Sequence, residues 1–181
     1  MTARRALDAY YTPDALAAAL VGLLPIEATD TVLEPHAGGG AFVRALLPVA
    51  HRVLACDVNP EAEGLALAHS AHYGDFMTCS IGGRWTVGNP PFRGFESHVE
   101  HGLKVSRHVA YLLRLAVMES GGRVPMWQRW PLRKVWVLAE RPSFTGGGTD
   151  SAAYGFFWWD RYWEAPAEIV PGWSWKGGGA A

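Results

Sequence analysis

Residues 31–33 are a short apolar run that leads through Glu34-Pro35-His36-Ala37-Gly38-Gly39-Gly40 into the helix-like stretch 41–47. This succession of strand, glycine-rich turn and helix constrains the fold more than any other feature of the chain. Adjacent glycines let the backbone approach a ligand closely, and the helix start offers unpaired N–H groups and a positive dipole end. The turn is not Gly-x-Gly-x-x-Gly and lacks the Lys-Ser/Thr of a P-loop, so neither a standard dinucleotide fingerprint nor an NTPase fits. A second strand, 52–57, ends in Asp57, about twenty residues past the turn, where a carboxylate binds ribose hydroxyls in such folds. A third ends at Gly74-Asp75-Phe76, and a fourth, Trp85-Thr86-Val87, runs into Gly88-Asn89-Pro90-Pro91-Phe92. Four such strand ends predict one crevice along the carboxyl edge of a parallel sheet.

The fourth strand end carries the most chemistry. Two consecutive prolines fix φ and remove backbone donors, which leaves the carbonyls of Asn89 and Pro90 outside any helix or sheet ladder. An Asn side-chain oxygen beside a rigid backbone carbonyl suits gripping both hydrogens of an –NH2 group. The ring of Phe92 would stack on the planar group that bears the amine. Taken alone, the same five residues also describe a stiff loop.

In their order along the chain, Val32-Leu33-Glu34-Pro35 with Gly38 to Gly40, Asp57, Asp75-Phe76 and Asn89-Pro90-Pro91-Phe92 resemble the motifs of the S-adenosylmethionine-dependent amino-methyltransferases, especially the N6-adenine DNA methyltransferases. Tyr10-Tyr11-Thr12-Pro13-Asp14, opening a helical stretch over 15–24, resembles the segment that precedes the glycine-rich motif when the cofactor half comes first. The similarity spans most of residues 10–160. It implies an α/β, Rossmann-like, seven-stranded sheet, mostly parallel, with an antiparallel C-terminal hairpin and helices on both faces. It implies S-adenosylmethionine as cofactor, no metal, and methyl transfer to the N6 amine of adenine in DNA. The alternative acceptors are an RNA base amine and a protein glutamine amide.

The same resemblance distributes the roles. Asn89, Pro90, Pro91 and Phe92 would form the catalytic motif, with Asn89 shared by the cofactor site. Tyr11, Thr12 and Pro13 would border the cofactor, Thr12 at the methionine carboxylate. Glu34, Pro35, Ala37 and Gly38 would surround the methionine part, Asp57 would hold the ribose, Asp75 the adenine amine and Phe76 the adenine face. Phe92 and Phe144 would flank the target base, and Arg129 and Arg133 would meet the substrate. No general base is expected, because an activated methyl donor needs alignment more than proton transfer.

Each of these residues also has a plain structural reading. Thr12 before Pro13 fits a helix N-cap, Asp57 before Asn59-Pro60 fits a turn, Asp75 fits a helix cap, and Phe76 and Phe144 fit a core. Glu34 and His36 fit solvated turn positions. His36 stands where similar motifs often have a small residue and carries no assignment.

With 181 residues, 49% of them hydrophobic, the chain suits one domain, expected over 1–175, with a low-complexity tail from 176 to 181 expected to be disordered. No apolar run approaches a membrane span and no signal-like segment follows the N-terminus, so a cytoplasmic location is expected. Two cysteines, Cys56 and Cys79, make neither a zinc site nor a disulfide framework, and a reducing compartment is the default. Residues 1–90 hold 5 Lys/Arg against 9 Asp/Glu, whereas 91–181 hold 11 against 8. Arg123, Arg129, Arg133, Lys134 and Arg141 therefore stand as a candidate phosphate rail or a solvated face. Nearly all of the chain after Phe92 is needed for the sheet, so no separate target-recognition domain is expected. Adjacent Trp158 and Trp159 should point to opposite faces of a strand, so at most one would meet a ligand. Oligomeric state is not encoded in any of these features.

Overall fold

The computed structural model describes residues 11–130, 132–144 and 150–176. Among the described residues, eight strands form one sheet: β1 (Thr31–Glu34), β2 (Arg52–Asp57), β3 (Ser70–Tyr73), β4 (Trp85–Gly88), β5 (His108–Arg114), β6 (Leu132–Leu138), β7 (Tyr154–Asp160) and β8 (Glu168–Trp173). Their order is β3-β2-β1-β4-β5-β7-β6-β8. The first five are mutually parallel, β7 runs antiparallel between β5 and β6, and β8 lies parallel to β6. The antiparallel pair expected at the C-terminus is present. The expected seven strands are extended by an eighth, which the sequence conceals because Pro171 and Gly172 interrupt its strand pattern.

Among the described residues, five α-helices, α1 (Asp14–Val21), α2 (Ala41–Leu46), α3 (Glu63–Leu67), α4 (Phe95–Val105) and α5 (Val124–Arg129), accompany the sheet. Central strands covered on both sides need apolar side chains in both directions, and β4 and β7 are buried along their whole length. Leu16, Leu20, Phe42 and Leu46 of α1 and α2 share one core with Val32, Val53, Val87, Leu112 and Trp158. Phe95, Val99 and Leu103 of α4, with Met126 of α5, share the other with Val109, Tyr111, Val135 and Trp159. Trp158 and Trp159 thus face opposite sides as expected, and both are core residues.

Several boundaries differ from expectation. Helix α1 ends at Val21 rather than at 24, with Gly22 as its C-cap. Helix α5 accommodates Pro125 in its first turn. Leu132 already belongs to β6. The loop glycines 146–148 and residues 177–181 lie outside the described residues.

Strand order places the crevice. The chain builds β1, β2 and β3 outward in one direction and then returns to the other side of β1 with β4. Where the direction of building reverses, loops leaving the carboxyl ends of neighbouring strands diverge and leave a gap. Glu34, Asp57 and Gly88 end three of these strands, and Asp75 closely follows the fourth.

Candidate active site

A cleft of about 600 Å³ opens at this edge, lined by Tyr11, Thr12, Glu34, the glycine-rich turn, Asp57, Asp75, Phe76, Asn89, Pro91 and His98 among others. That volume lies in the range of cofactor sites. Pro13, Pro35, Ala37 and Gly38 also line it, so the candidate cofactor residues come together. Pro90 and Phe92 stand outside this lining.

Backbone geometry fixes the turn. Gly40 adopts φ 81° immediately before α2, a conformation that favours glycine. Arg44 of α2 donates to the Gly39 carbonyl at 2.8 Å and to Asp14 at 2.8 Å and Glu63 at 3.1 Å. One guanidinium thereby ties α1, α3 and the turn together. The ring of Tyr11 lies over Gly38 and Gly39, close enough that a Cβ at either would sit 3.2 Å from it.

Asp57 accepts the Gly38 N–H on Oδ2 and the Asn59 N–H on Oδ1, each at 2.8 Å. It is therefore both a turn former and a clamp on the glycine-rich loop while bordering the cleft. Asp75 likewise combines two roles, since its Oδ1 caps the short 3-10 turn Phe76–Thr78 by accepting the Met77 N–H at 2.9 Å. Thr12 does not cap α1. Pro13 occupies the N-cap position without a side-chain bond, and Thr12 Oγ1 accepts from Asn89 Nδ2 at 3.2 Å.

Glu34 is not a solvated turn residue. Its side chain is buried between β1 and β4, where a Cβ at position 88 would collide with its carboxyl oxygens. Gly88 therefore makes room for the acid. Burial pushes the Glu34 carboxyl up to about 8, opposed by the His36 N–H that it accepts at 2.9 Å and reinforced by Asp57. Near neutral pH the group is therefore largely protonated.

The rest of the Asn-Pro-Pro-Phe motif follows Asn89. Phe92 is half-buried, its ring centroid 5.8 Å from that of Tyr154, with the Arg114 guanidinium 4.5 Å from its ring. Tyr154 also meets Phe144 at 5.2 Å. Phe144 is 6% exposed and belongs to the core beneath the mouth. Arg114 donates to Tyr154 Oη at 3.2 Å and contacts Asp150 at 3.4 Å, and Tyr154 donates to Asp150 at 2.7 Å. These three polar residues brace the Phe92 ring.

Arg133 is placed elsewhere. Its strand begins where β7 ends, and the last residue of β7, Asp160, pairs with His108 at the start of β5. That is the amino edge of the parallel strands, across the sheet from Asn89. There Arg133 contacts Asp160 at 3.1 Å and stacks on Trp158 and Trp163. Arg129 ends α5 just before this strand and stacks on Trp130. Of the five cations that stood as a candidate rail or a solvated face, Lys134 pairs with Glu168 and Arg123 with Glu96.

Sequence reasoning missed His98, Arg114, Asp150 and Tyr154. None sits in a motif, and only strand pairing brings Arg114 to Tyr154. A regular i, i+3 spacing of His98 and His101 on α4 is the sole signal visible beforehand. Cys56 and Cys79 are both buried, free thiols, with burial and the neighbouring Cys79 pushing Cys56 up to about 12. Among the described residues there is no cluster suited to a metal ion and no helix long and apolar enough to cross a membrane.

No family model and no curated protein matches the sequence. Solved structures do. A protein from Pyrococcus horikoshii assigned as an RNA methyltransferase superposes with a TM-score of 0.71 at 17% identity, covering 85% of this chain and 88% of its own. The modification subunit assigned to a type I restriction enzyme from Vibrio vulnificus gives 0.69 at 14% identity over 90% of this chain, which spans 47% of that subunit. The 23S rRNA methyltransferase ErmE gives 0.65 at 16% identity, covering 86% and 71%. The strand order, the crevice at its reversal and these similar structures together give the chain the fold of the class I S-adenosylmethionine-dependent methyltransferases.

Proposed function

We propose that this protein transfers a methyl group from S-adenosylmethionine to an exocyclic base amine, with the N6 amine of adenine in DNA as the leading acceptor. The observation that carries the reading is the placement of Asn89-Pro90-Pro91-Phe92 at the carboxyl end of β4, with Asn89 and Pro91 lining the cleft. The residues present fit the cofactor: a buried acid for its amine, a glycine-rich turn for its carboxylate end, Asp57 for hydroxyls and Asp75 with Phe76 for a purine. When bound, it supplies a methyl group already activated by its sulfonium.

The chain's own part is to position the amine. Donation from Asn89 Nδ2 to Thr12 fixes the amide's rotation, so that its oxygen is the accepting end. Together with the Pro90 carbonyl it would hold both amine hydrogens and favour a pyramidal nitrogen. A planar acceptor would stack against Phe92, whose ring Arg114 and Tyr154 hold in place. Alignment of this kind accounts for rate without a general base.

An RNA base amine is the second reading, favoured by the near end-to-end match with the Pyrococcus protein. The deciding experiment supplies tritium-labelled S-adenosylmethionine with unmethylated DNA, single- and double-stranded, and with RNA, followed by digestion and mass spectrometry. Label in N6-methyladenine from DNA is the expected result. Label only in RNA, or, in a parallel reaction given a mixed protein substrate, only in a glutamine, would replace the leading reading.

A further inference from the structure

Three imidazoles surround Phe76 at the inner end of the cleft. His36 meets its edge at 5.6 Å and His101 at 4.7 Å, while His98 lies within 14° of parallel at 6.1 Å. His101 Nε2 bonds to the Cys79 carbonyl at 2.8 Å, which requires that nitrogen to carry a proton and anchors α4 over the turn. His98 Nδ1 lies 2.9 Å from His36 Nε2. The other nitrogen of His36, Nδ1, is buried without a partner.

Both rings of this pair are neutral at physiological pH. Burial, then the neighbouring His98, hold His36 well below 6.5. Burial also lowers His98, opposed by Asp75 and reinforced by His101. A neutral imidazole carries one N–H, so the short contact admits two arrangements. If His98 Nδ1 donates, the proton of His36 must sit on Nδ1, as a buried N–H with no acceptor. If His36 Nε2 donates, only a lone pair of His36 goes unmatched, and His98 carries its proton on Nε2. Orphaned buried N–H groups are the rarer of the two, which selects the second arrangement.

We infer that His98 is a purine-recognising residue of the cleft, presenting Nε2–H to a ring nitrogen of adenine, and that His36 is the positioning residue that fixes its tautomer. This rests on the reading of the cleft as an S-adenosylmethionine site. His98 lines the cleft together with Asp75 and Phe76. An acceptor carboxylate and a donor imidazole on one purine edge complement an amine beside a ring nitrogen, the pattern of adenine. His36 thereby gains a purpose in a turn that similar motifs fill with a small residue.

The test uses S-adenosylhomocysteine and its 1-, 3- and 7-deaza analogues, each of which replaces one ring nitrogen by C–H, titrated calorimetrically into wild type, His98→Phe and His98→Gln. Long-range ¹H–¹⁵N correlation spectra of the ligand-free protein report the His98 tautomer independently. Wild type should bind one deaza analogue about tenfold more weakly than the parent. His98→Phe should bring the parent down to that level and erase the difference, and His98→Gln, which keeps an N–H donor, should restore part of it. The spectra should show Nε2–H at His98 in wild type and a loss of that preference in His36→Phe. A proton on His98 Nδ1, or an unchanged analogue pattern in His98→Phe, overturns the inference while leaving the cofactor reading intact. Failure of wild type to bind S-adenosylhomocysteine at all overturns both.

Discussion

Asn89 carries a donating NH2 group and an accepting oxygen on its side chain, and the proposed function gives them different tasks. Nδ2 donates to Thr12, and in the proposed function the oxygen is left to hold the acceptor amine. Asn89→Ala should therefore lower transfer by about 100-fold or more while cofactor affinity, measured by calorimetry, stays within about threefold of wild type on the scale of one weak hydrogen bond. Equal loss of both would make the residue structural. Glu34 makes a pH prediction. Its carboxyl is raised from 4.5 to about 8 in the folded protein, so its contribution to stability is complete below 4.5 and disappears as pH climbs through about 8. Urea unfolding across this window should show stability falling with pH, by at most about 1.4 kcal/mol per unit from this group. Glu34→Gln should flatten the profile; a slope identical to wild type would assign the pH dependence to other groups. A cationic ligand amine reverses the preference, so cofactor affinity should rise with pH up to about 8. Asp57→Ala removes the acceptor of two backbone N–H groups and should weaken cofactor binding before it affects transfer at saturation. An unchanged dissociation constant would remove Asp57 from the cofactor site.

At the scale of elements, the parallel half was legible because each strand ended on a chemically distinctive residue. Residues 52–57 coincide with β2, and the helix-like stretch 41–47 matches α2 to within one residue. What escaped reading was decided by tertiary pairing. Arg133 looked like part of a cationic mouth in one dimension, yet β6 parallel to β5 in orientation carries it to the opposite edge, beside Asp160. Phe144 has the residue type of a stacking platform, but packing on Tyr154 buries it. Strand β8 was invisible because its pattern mixes exposed residues with Pro171, its buried anchor being Trp173. Trp173→Ala should cost about 3–5 kcal/mol of stability by emptying a core position. Cofactor affinity at low temperature should be unaffected, because Trp173 does not line the cleft; a parallel loss of binding would show that this edge supports the site.

At the scale of the whole molecule, charge argues for modest nucleic-acid affinity. Several cations of the C-terminal half are already committed, Arg133 to Asp160, Lys134 to Glu168 and Arg123 to Glu96. DNA binding measured by anisotropy against salt concentration should therefore have a shallow log–log slope, on the order of −2 to −3. A slope several-fold steeper would reveal a basic track that these pairs do not exhaust. The fold class was readable from the glycine-rich turn and its partner strands. The imidazole box was not, because it joins residues 36, 76, 98 and 101 from three separate segments.

The two margins of the sheet carry one last consequence. At one margin stands β3, four residues long with every residue exposed; at the other stands β8, which carries Pro171 and a charged Glu168. A margin this short, and one that lacks an amide proton midway, are poor templates for a foreign strand. Both margins therefore disfavour strand addition, and a preparation concentrated for months is expected to cloud through unfolding rather than through edge-to-edge pairing of intact molecules.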